Sequence, residues 1–302
     1  MAKFDLKEWK KDHQEIIDKI KKEKNFQNNP KLQKPLKDAE NKLKNAKVLS
    51  DFALVAQTTN EIYKIVAREK AVKSWAEPVE VKTTIEILKE IEAKKKGIKL
   101  YGEPYTSSSA ILIEWMLYRA LGSLFGNKAI FNGVPNDAHA LPLSVAGGKQ
   151  PDLVVEFLDF ILVLEVTLSE GQRQYDTETE PVTRHLAEIQ QKNPDKEVYG
   201  LFVARKILPN VIDYFLIHHA FHKHPISNKN ILLVPMPLEF FIKLYGYMIR
   251  SKKSKAALKK FFETFEKNKE KKTCNSCNRA NITLKDFRTE VFSNLQQMIK
   301  DL

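Results

Sequence analysis

The residue types that could hold a metal ion are concentrated in the middle of the chain. Asp152 opens a short apolar segment, and Glu165 lies thirteen residues later inside a second one, residues 160–168. Because side chains alternate along a strand, Glu165 and Thr167 are predicted to share one face, and a tight antiparallel turn would bring Asp152 close to them. Two carboxylates on adjacent strands, with a hydroxyl beside one of them, form a hard-oxygen site suited to Mg²⁺.

Glu114 is a third candidate, because it lies in a segment that is apolar on nearly every side of a helix. Residues 111–121 read ILIEWMLYRAL, so the carboxylate is expected to be buried. A buried carboxylate is costly unless it is paired, hydrogen-bonded or bound to a metal ion. Two interpretations stay open: Glu114 belongs to the metal site, or it is a structural carboxylate satisfied by a nearby arginine.

A polar run follows the second apolar segment and reads GQRQYDTETEPVTRHL over residues 171–186. It adds Glu178, Glu180, Arg184 and His185 to the candidate residues. The pair Glu180-Pro181 is typical of a helix start, which offers a structural reason for that glutamate. Arg184 and His185 could equally be surface residues of the same helix.

Together these motifs resemble the PD-(D/E)xK nuclease signature, with Thr167 where lysine normally stands. The fuller run, PDLVV…LEVTLSEGQRQYDTETEPVTRHL, is similar to the AlwI-type branch of the FokI-like type IIS restriction and nicking endonucleases. The similarity is strongest over residues 106–190. It implies an α/β restriction-endonuclease-like fold, a mixed sheet flanked by helices. It also implies a deoxyribonuclease that uses Mg²⁺ or Mn²⁺ and leaves 5′-phosphate and 3′-hydroxyl ends.

The same resemblance implies roles for individual residues. Asp152 and Glu165 would be metal ligands, and Glu114 would be the carboxylate contributed by the helix. Glu178 and His185 match the further acidic and histidine positions of the family by their spacing. Glu180 is the competitor for the acidic role.

Thr167 is the departure from the signature, because threonine carries no charge. A lysine there would orient the attacking water and stabilise charge at the phosphate. Another group must take that part, and the candidates are Glu178, Arg184 and His185. The branch itself carries this exchange, so the threonine does not argue against activity.

The elements that must position these residues are predicted to form an α/β core between helical flanks. The first flank is mostly helical over residues 4–75, is broken at Pro30 and Pro35, and stops before Pro78. A helix over 82–97 with Gly97 as its C-cap follows, and then a helix capped by Ser107–Ser109 that runs to about Gly126. The remaining predicted elements are a long loop at 132–150, strands at 152–157, 160–168, 197–204 and 230–235, and helices at 180–192, 208–223, 237–250, 253–270 and 283–301. We therefore predict a basic helical module (1–100), a nuclease core (101–250) and C-terminal basic helices (251–302).

Positive charge is concentrated in the two flanks. The formal net charge is +12, of which residues 1–50 contribute +6 and residues 243–272 contribute +8, so the rest of the chain is slightly acidic. Basic flanks indicate a polyanion, here double-stranded DNA, although lysine-rich helices are also common solvated surfaces. The candidate DNA contacts are Arg173, Arg184, Lys252, Lys253, Lys255, Lys259 and Lys260.

Composition excludes several other classes of protein. Hydrophobic residues make up 43% of the chain, which excludes disorder over its whole length. Two cysteines, no apolar leader and no long apolar run predict a cytoplasmic protein without a membrane span. Four histidines at 218, 219, 222 and 224 and the pair Cys274-x-x-Cys277 are two half-sites for zinc, but the pattern favours a basic helix surface and free thiols over structural Zn²⁺.

Sequence recognition has no legible module, because no helix-turn-helix or zinc-finger pattern stands out. Either the chain is a cleavage subunit or fragment, working with a separate recognition domain or a second nuclease subunit, or its flanks read DNA by themselves. Two other functions stay open: a catalytically silent DNA-binding or assembly subunit on a nuclease fold, and a nuclease acting on RNA or on structured repair substrates. Metal-dependent nicking of supercoiled plasmid distinguishes these possibilities.

Overall fold

The computed structural model describes residues 6–47, 49–105, 108–131, 150–220, 223–251 and 254–274, together with residues 293 and 297. The helices of this part of the chain are α1 (Leu6–Lys22), α2 (Lys24–Gln27), α3 (Pro30–Asn45), α4 (Leu49–Ser74), α5 (Pro78–Glu92), α6 (Ser109–Phe125), α7 (Gln172–Lys192), α8 (Pro209–Ala220), α9 (Leu238–Ser251) and α10 (Ser254–Cys274). The strands are β1 (Lys99–Leu100), β2 (Glu103–Pro104), β3 (Ala129–Phe131), β4 (Leu153–Glu156), β5 (Phe160–Thr167), β6 (Glu197–Ala204) and β7 (Leu232–Pro237).

The chain divides into two compact units, and helices α1–α4 form the described part of the first. Their apolar positions recur at helical spacing and pack into one core. Its buried residues are Ile17, Ile20, Phe26, Leu36, Leu43, Val55, Ile62 and Val66. The predicted break at Pro35 is wrong, because Pro35 lies inside α3. A proline in a helix removes one backbone hydrogen bond, and here the buried face formed by Leu36, Ala39 and Leu43 keeps the helix intact.

The second unit contains α5–α10 and every strand. Two helix boundaries differ from the prediction here. Helix α5 spans Pro78–Glu92, with proline at its first position and Ala93 as the C-cap, so Gly97 does not end it. Helix α7 begins at Gln172 rather than near residue 180, so Pro181 lies inside it. Gly171, with φ of +66°, turns the chain from β5 directly into α7, a conformation that glycine adopts without strain.

A mixed five-stranded sheet, in the order β3-β4-β5-β6-β7, forms the centre of the second unit. Strands β3, β4 and β5 are antiparallel neighbours, whereas β5, β6 and β7 run parallel. All eight residues of β5 are buried, as expected for a central strand. The predicted strands and the helices between them are confirmed to within a few residues, except at the start of α7.

Helices cover both faces of the sheet. Val182 and Leu186 of α7 and Phe215 of α8 pack with Ile161 and Val163 of β5 on one face. On the opposite face, the ring of Phe262 in α10 stacks on Tyr199 of β6 with centroids 4.6 Å apart. The central strands are therefore enclosed, and only their ends are available to form a site.

Two local features position the elements around that site. The backbone nitrogen of Phe157 donates to the carbonyl oxygen of Phe160 at 2.9 Å, which closes the predicted tight turn between β4 and β5. The α6 helix begins as predicted, because the Ser108 hydroxyl accepts from the Ala110 amide at 3.1 Å. It ends at Gly126, whose φ is +61°.

Some predicted segments lie outside the described residues, namely most of the loop 132–150 and most of the helix 283–301. In the part of the chain that is described, no helix is long and apolar enough to cross a membrane.

Candidate active site

The hairpin register places Asp152 beside Glu165, because Leu153 pairs with Leu164 on the neighbouring strand. The Val166 amide donates to Asp152 Oδ2 at 2.8 Å, and the Asp152 amide lies 3.4 Å from Glu165 Oε2. The predicted proximity of the two carboxylates is therefore confirmed, and backbone amides hold both in position.

Both carboxyl groups have a raised pKa. Burial is the main cause for Glu165, which is 5% exposed, and its pKa rises to about 8 with further contributions from the charges of Glu178 and Glu114. Hydrogen bonds from Asp152 oppose part of this rise. Burial, followed by the charge of Glu165, raises the pKa of Asp152 well above its usual value. The pair thus retains protons near neutral pH unless a cation compensates its charge.

His185 supports this pair from helix α7. Its Nδ1 lies 2.8 Å from Glu165 Oε1, and the ring is 5% exposed. Burial lowers the pKa of His185, which favours a neutral ring, and this ring hydrogen bonds to the Glu165 carboxyl through Nδ1. Its Nε2 is buried and has no hydrogen-bond partner among the described residues. His185 is therefore a buried residue of the site, not a surface residue of the helix.

Thr167 also contacts helix α7, through Glu178, which precedes His185 along that helix. Its hydroxyl donates to Glu178 Oε1 at 2.8 Å and accepts from the Ser169 amide at 3.0 Å. Glu180, by contrast, is exposed and pairs with Arg184 at 3.1 Å. Of the two glutamates that the sequence left open, the structure places Glu178 beside the strand and Glu180 at the surface.

A cavity of about 560 Å³ opens over the end of β5. Its polar lining residues are Glu114, Thr167, Ser169, Glu170, Arg173 and Glu178. Glu170 is held by Lys94 at 2.7 Å and by Arg205 at 3.2 Å, and its hydrogen bond with Lys94 lowers its pKa. The cavity therefore combines carboxylates, hydroxyls and a guanidinium next to the Asp152–Glu165 pair.

Glu114 is buried, as predicted, and is 8% exposed. The buried arginine of the same helix, Arg119, is salt-bridged to Glu80 and donates to the Tyr101 hydroxyl at 2.7 Å. Trp115 and Trp75 also lie within 6 Å of the Arg119 guanidinium. Arg119 thus has its own carboxylate partner, while Glu114 lines the cavity that contains Glu178.

The basic residues of the C-terminal helix lie away from this cavity. Lys255 and Lys259 both pair with Asp159, at 2.6 and 3.0 Å, in the turn between β4 and β5. Asp159 and Glu165 are six strand residues apart, roughly 20 Å at the usual rise per residue. Lys260 is exposed, whereas Lys252 and Lys253 lie outside the described residues. Arg184 pairs on the surface with Glu180 and Glu188.

A magnesium ion fits the residues of the site. No three His, Cys, Asp or Glu side chains within the described ranges are arranged to hold a metal ion. The predicted set of Glu114, Asp152 and Glu165 is therefore not assembled as three ligands. Mg²⁺, however, is commonly bound by one or two carboxylates together with waters and substrate phosphates. The buried pair of like-charged carboxylates supplies that minimum.

Most residues of the two possible zinc half-sites lie outside the part of the chain that the structure describes. The side chains of His219, His222 and Cys274 and the whole of Cys277 lie outside the described residues. His218 and His224 are described, with ring centroids 6.4 Å apart. The preference for free thiols over zinc remains a prediction.

Two contributors were given no role in the site by the sequence analysis. Gln174 is fully buried, and its amide nitrogen donates to the carbonyls of Ser169 and Lys206, each at 2.9 Å. Its oxygen accepts from the Leu208 amide at 2.9 Å. Arg205 holds Glu170 at the cavity. A glutamine in a polar run carries no distinguishing signal, since its burial depends on strands that are distant in sequence.

Comparison with known proteins supports the same architecture. No curated protein matches the chain. Among solved structures, the small subunit of the heterodimeric restriction endonuclease R.BspD6I superposes with a TM-score of 0.52 at 20% identity, covering 72% of this chain and 98% of that one. At this identity the likeness establishes a shared fold, and it agrees with the predicted restriction-endonuclease-like α/β class. The model of the AlwI restriction endonuclease family matches residues 5–244, and the chain therefore belongs to that family.

Proposed function

We propose that this protein is a Mg²⁺-dependent DNA endonuclease of the type IIS-like restriction or nicking class, acting as a cleavage subunit. The observation that carries the proposal is the buried Asp152–Glu165 pair, held by backbone amides at the end of the central strand. Burying two carboxylates together destabilises a fold, so such a pair is best explained by the cation that it binds. Family membership supplies the restriction-nuclease context.

The reaction is hydrolysis of a phosphodiester bond. The oxygen of a water molecule bonds to phosphorus, the bond from phosphorus to the 3′-oxygen breaks, and a proton passes to that oxygen. The products are a 3′-hydroxyl and a 5′-phosphate. When bound, a divalent ion polarises the phosphate and lowers the pKa of water.

The side chains of the site divide the remaining work. Asp152 and Glu165 would hold the cation, and Glu114 would contribute its negative charge from the cavity wall. The hydrogen bond through Nδ1 of His185 fixes the orientation of Glu165. Thr167 and Thr177 both contact Oε1 of Glu178, which leaves Oε2 to orient the water and accept its proton.

DNA is the proposed substrate, in line with the basic flanks. Arg173 and Arg184 and the lysines at 252, 253, 255, 259 and 260 are the proposed backbone contacts. Phosphate contacts of this kind make binding fall with salt concentration, with a log–log slope of about −0.9 per neutralised phosphate. Because Lys255 and Lys259 lie near the opposite end of the hairpin from the carboxylates, they would bind DNA outside the cleavage centre.

A second protein chain is the proposed source of sequence recognition. The solved relative is named as the small subunit of a heterodimeric enzyme, and it corresponds to 72% of this chain. We therefore infer that this chain acts with a second nuclease subunit or a separate recognition domain.

The test is nicking of supercoiled plasmid by the purified chain with Mg²⁺, compared with the Asp152→Asn variant. Mutating residues that merely support metal ligands costs about 10- to 100-fold, so losing a direct ligand is expected to cost more than about 100-fold. Glu156→Gln, which changes an exposed carboxylate of the same hairpin, is the matched control and should cleave normally, because its partner Lys196 is not among the proposed DNA contacts.

Two outcomes would contradict the proposal. Full cleavage by Asp152→Asn would remove this residue from the metal site. Salt-dependent DNA binding by the wild-type protein, with no Mg²⁺-dependent cleavage alone or with a partner subunit, would favour a silent DNA-binding subunit.

A further inference from the structure

The proposed reaction lacks one component, namely the positive charge that the signature lysine would provide at the phosphate. Three candidates were considered from the sequence: Glu178, Arg184 and His185. Glu178 is an acid. Arg184 is engaged with Glu180 and Glu188 and does not line the cavity. His185 is buried against Glu165, with its Nδ1 2.8 Å from Oε1, and does not line the cavity.

Arg173 is the cation that the structure places at the cavity. It lines the same wall as Thr167 and Glu178. Its side chain is exposed, and its guanidinium makes no ion pair with any described residue. The nearest acid in sequence, Glu170, already has both carboxylate oxygens engaged by Lys94 and Arg205. The Arg173 guanidinium is therefore available to a ligand in the cavity.

The backbone that carries Arg173 is held rigidly. Arg173 is the second residue of α7, directly after the turn at Gly171. The next residue, Gln174, is fully buried and makes the three hydrogen bonds that join α7 to the loops after β5 and β6. A guanidinium anchored in this way loses less conformational freedom on binding a ligand than one on a mobile loop.

Resting on the proposed function, we propose that Arg173 replaces the missing lysine by donating hydrogen bonds to the scissile phosphate in this cavity. The planar guanidinium binds two phosphate oxygens at once and stays charged at every physiological pH. It neither gives nor takes a proton in the reaction, because a guanidinium is not deprotonated in proteins. Its contribution is the stabilisation of the negative charge that grows on phosphorus-bound oxygens as water attacks.

Two measurements test this inference, each with Arg173→Ala, Arg173→Lys and the control Lys192→Ala, which changes an exposed cation at the other end of the same helix. The first is the single-turnover rate of plasmid cleavage with enzyme in excess. Removing one positioned donor from a developing negative charge costs about 10²- to 10³-fold, so we expect that loss for Arg173→Ala. Arg173→Lys should recover part of the rate, and Lys192→Ala should cleave as the wild type does.

The second measurement requires no cleavage. Short DNA duplexes with a 5′-phosphate or a 5′-hydroxyl end are titrated in Ca²⁺, with the wild type and each variant. The wild type should prefer the phosphorylated end, which mimics the product. Arg173→Ala should lose that preference while its affinity for the hydroxyl-ended duplex stays within about threefold.

The outcomes separate this inference from the proposed function. Cleavage at the wild-type rate by Arg173→Ala, with wild-type cleavage intact, would overturn the role of Arg173 alone. Equal weakening for both duplex ends would also overturn it, since Arg173 would then be a general backbone contact. A wild-type protein that neither cleaves nor distinguishes the two ends would refute both proposals together.

Discussion

Glu165→Gln should make the protein more stable at alkaline pH, although it removes a buried hydrogen-bonding acid. The folded-state pKa of Glu165 is raised from 4.5 to about 8, because the carboxyl is buried beside other acids. The folded protein therefore holds a proton there that the unfolded chain releases. Its stabilising effect is complete below pH 4.5 and is lost as the pH rises through 8.

The size of the effect follows from the shift. Each pKa unit corresponds to about 1.4 kcal/mol, so the free energy of unfolding of the wild type should fall by about 3–4 kcal/mol between pH 5 and pH 8 on this account. Glutamine has nearly the same volume and no charge. The variant should therefore lose little stability over that range, and Asp152, freed of its charged neighbour, should also ionise more easily.

The assay is urea unfolding at pH 5, 6, 7 and 8 in the presence of EDTA, followed by tryptophan fluorescence. A Trp9→Phe background leaves Trp75 and Trp115, which both belong to the unit that contains the sheet. Glu156→Gln is the matched control on the same hairpin. Glu156 forms an exposed pair with Lys196 at 2.6 Å, so its loss should change stability by less than about 1 kcal/mol at every pH.

Unfolding in the presence of Mg²⁺ instead of EDTA provides a second measurement. At pH 8 a ligand present at 100 times its Kd stabilises a protein by about 2.7 kcal/mol. We expect such a gain for the wild type and for Glu156→Gln, and its absence for Glu165→Gln. The reasoning is refuted if the free energies of unfolding of the wild type and Glu165→Gln fall equally as the pH rises. The ionisation of Glu165 would then not destabilise the folded protein.

Three further predictions test individual side chains. Glu178→Gln should reduce plasmid cleavage by more than about tenfold, whereas Glu180→Gln, at an exposed ion pair, should leave it unchanged. Arg119→Met should lower the free energy of unfolding by about 3–5 kcal/mol, because it leaves the Glu80 carboxylate without the cation that neutralises it. A change below about 1 kcal/mol in a denaturant titration would contradict this prediction. Gly200→Ala should lower the free energy of unfolding by about 1–3 kcal/mol. The added Cβ would lie 2.4 and 2.6 Å from the side chains of Leu186 and Leu233, which are fully buried. An unchanged melting temperature in calorimetry would refute this prediction.

The hairpin and its carboxylates could be predicted from the sequence, because the information is local. Strand alternation places Glu165 and Thr167 on one face, and the short turn places Asp152 beside them. The burial of Glu114 was likewise evident from the apolar residues around it. Each of these inferences depends on neighbours within about fifteen residues along the chain.

Helix boundaries were harder to predict from the sequence, because local signals such as prolines and glycines indicate different first and last residues for the same helix. Pro35 predicted a helix break and Pro181 predicted a helix start, yet both residues lie inside helices. In each case the apolar face of the whole helix, buried against other elements, outweighs the cost of one proline. The division into a module at 1–100, a core at 101–250 and an extension at 251–302 stays a prediction.

Which charged residues face the cavity was decided only by tertiary structure. Glu178 and Glu180 are two residues apart in one polar run, and the packing of α7 on β5 turns the first toward Thr167 and the second toward solvent. Lys259 and Asp159 are 100 residues apart and meet because α10 packs at the hairpin turn. The sequence alone determined the strand carboxylates, because alternation is a property of neighbouring residues. It could not determine the cations around them, because the partner of a charge depends on how distant elements pack.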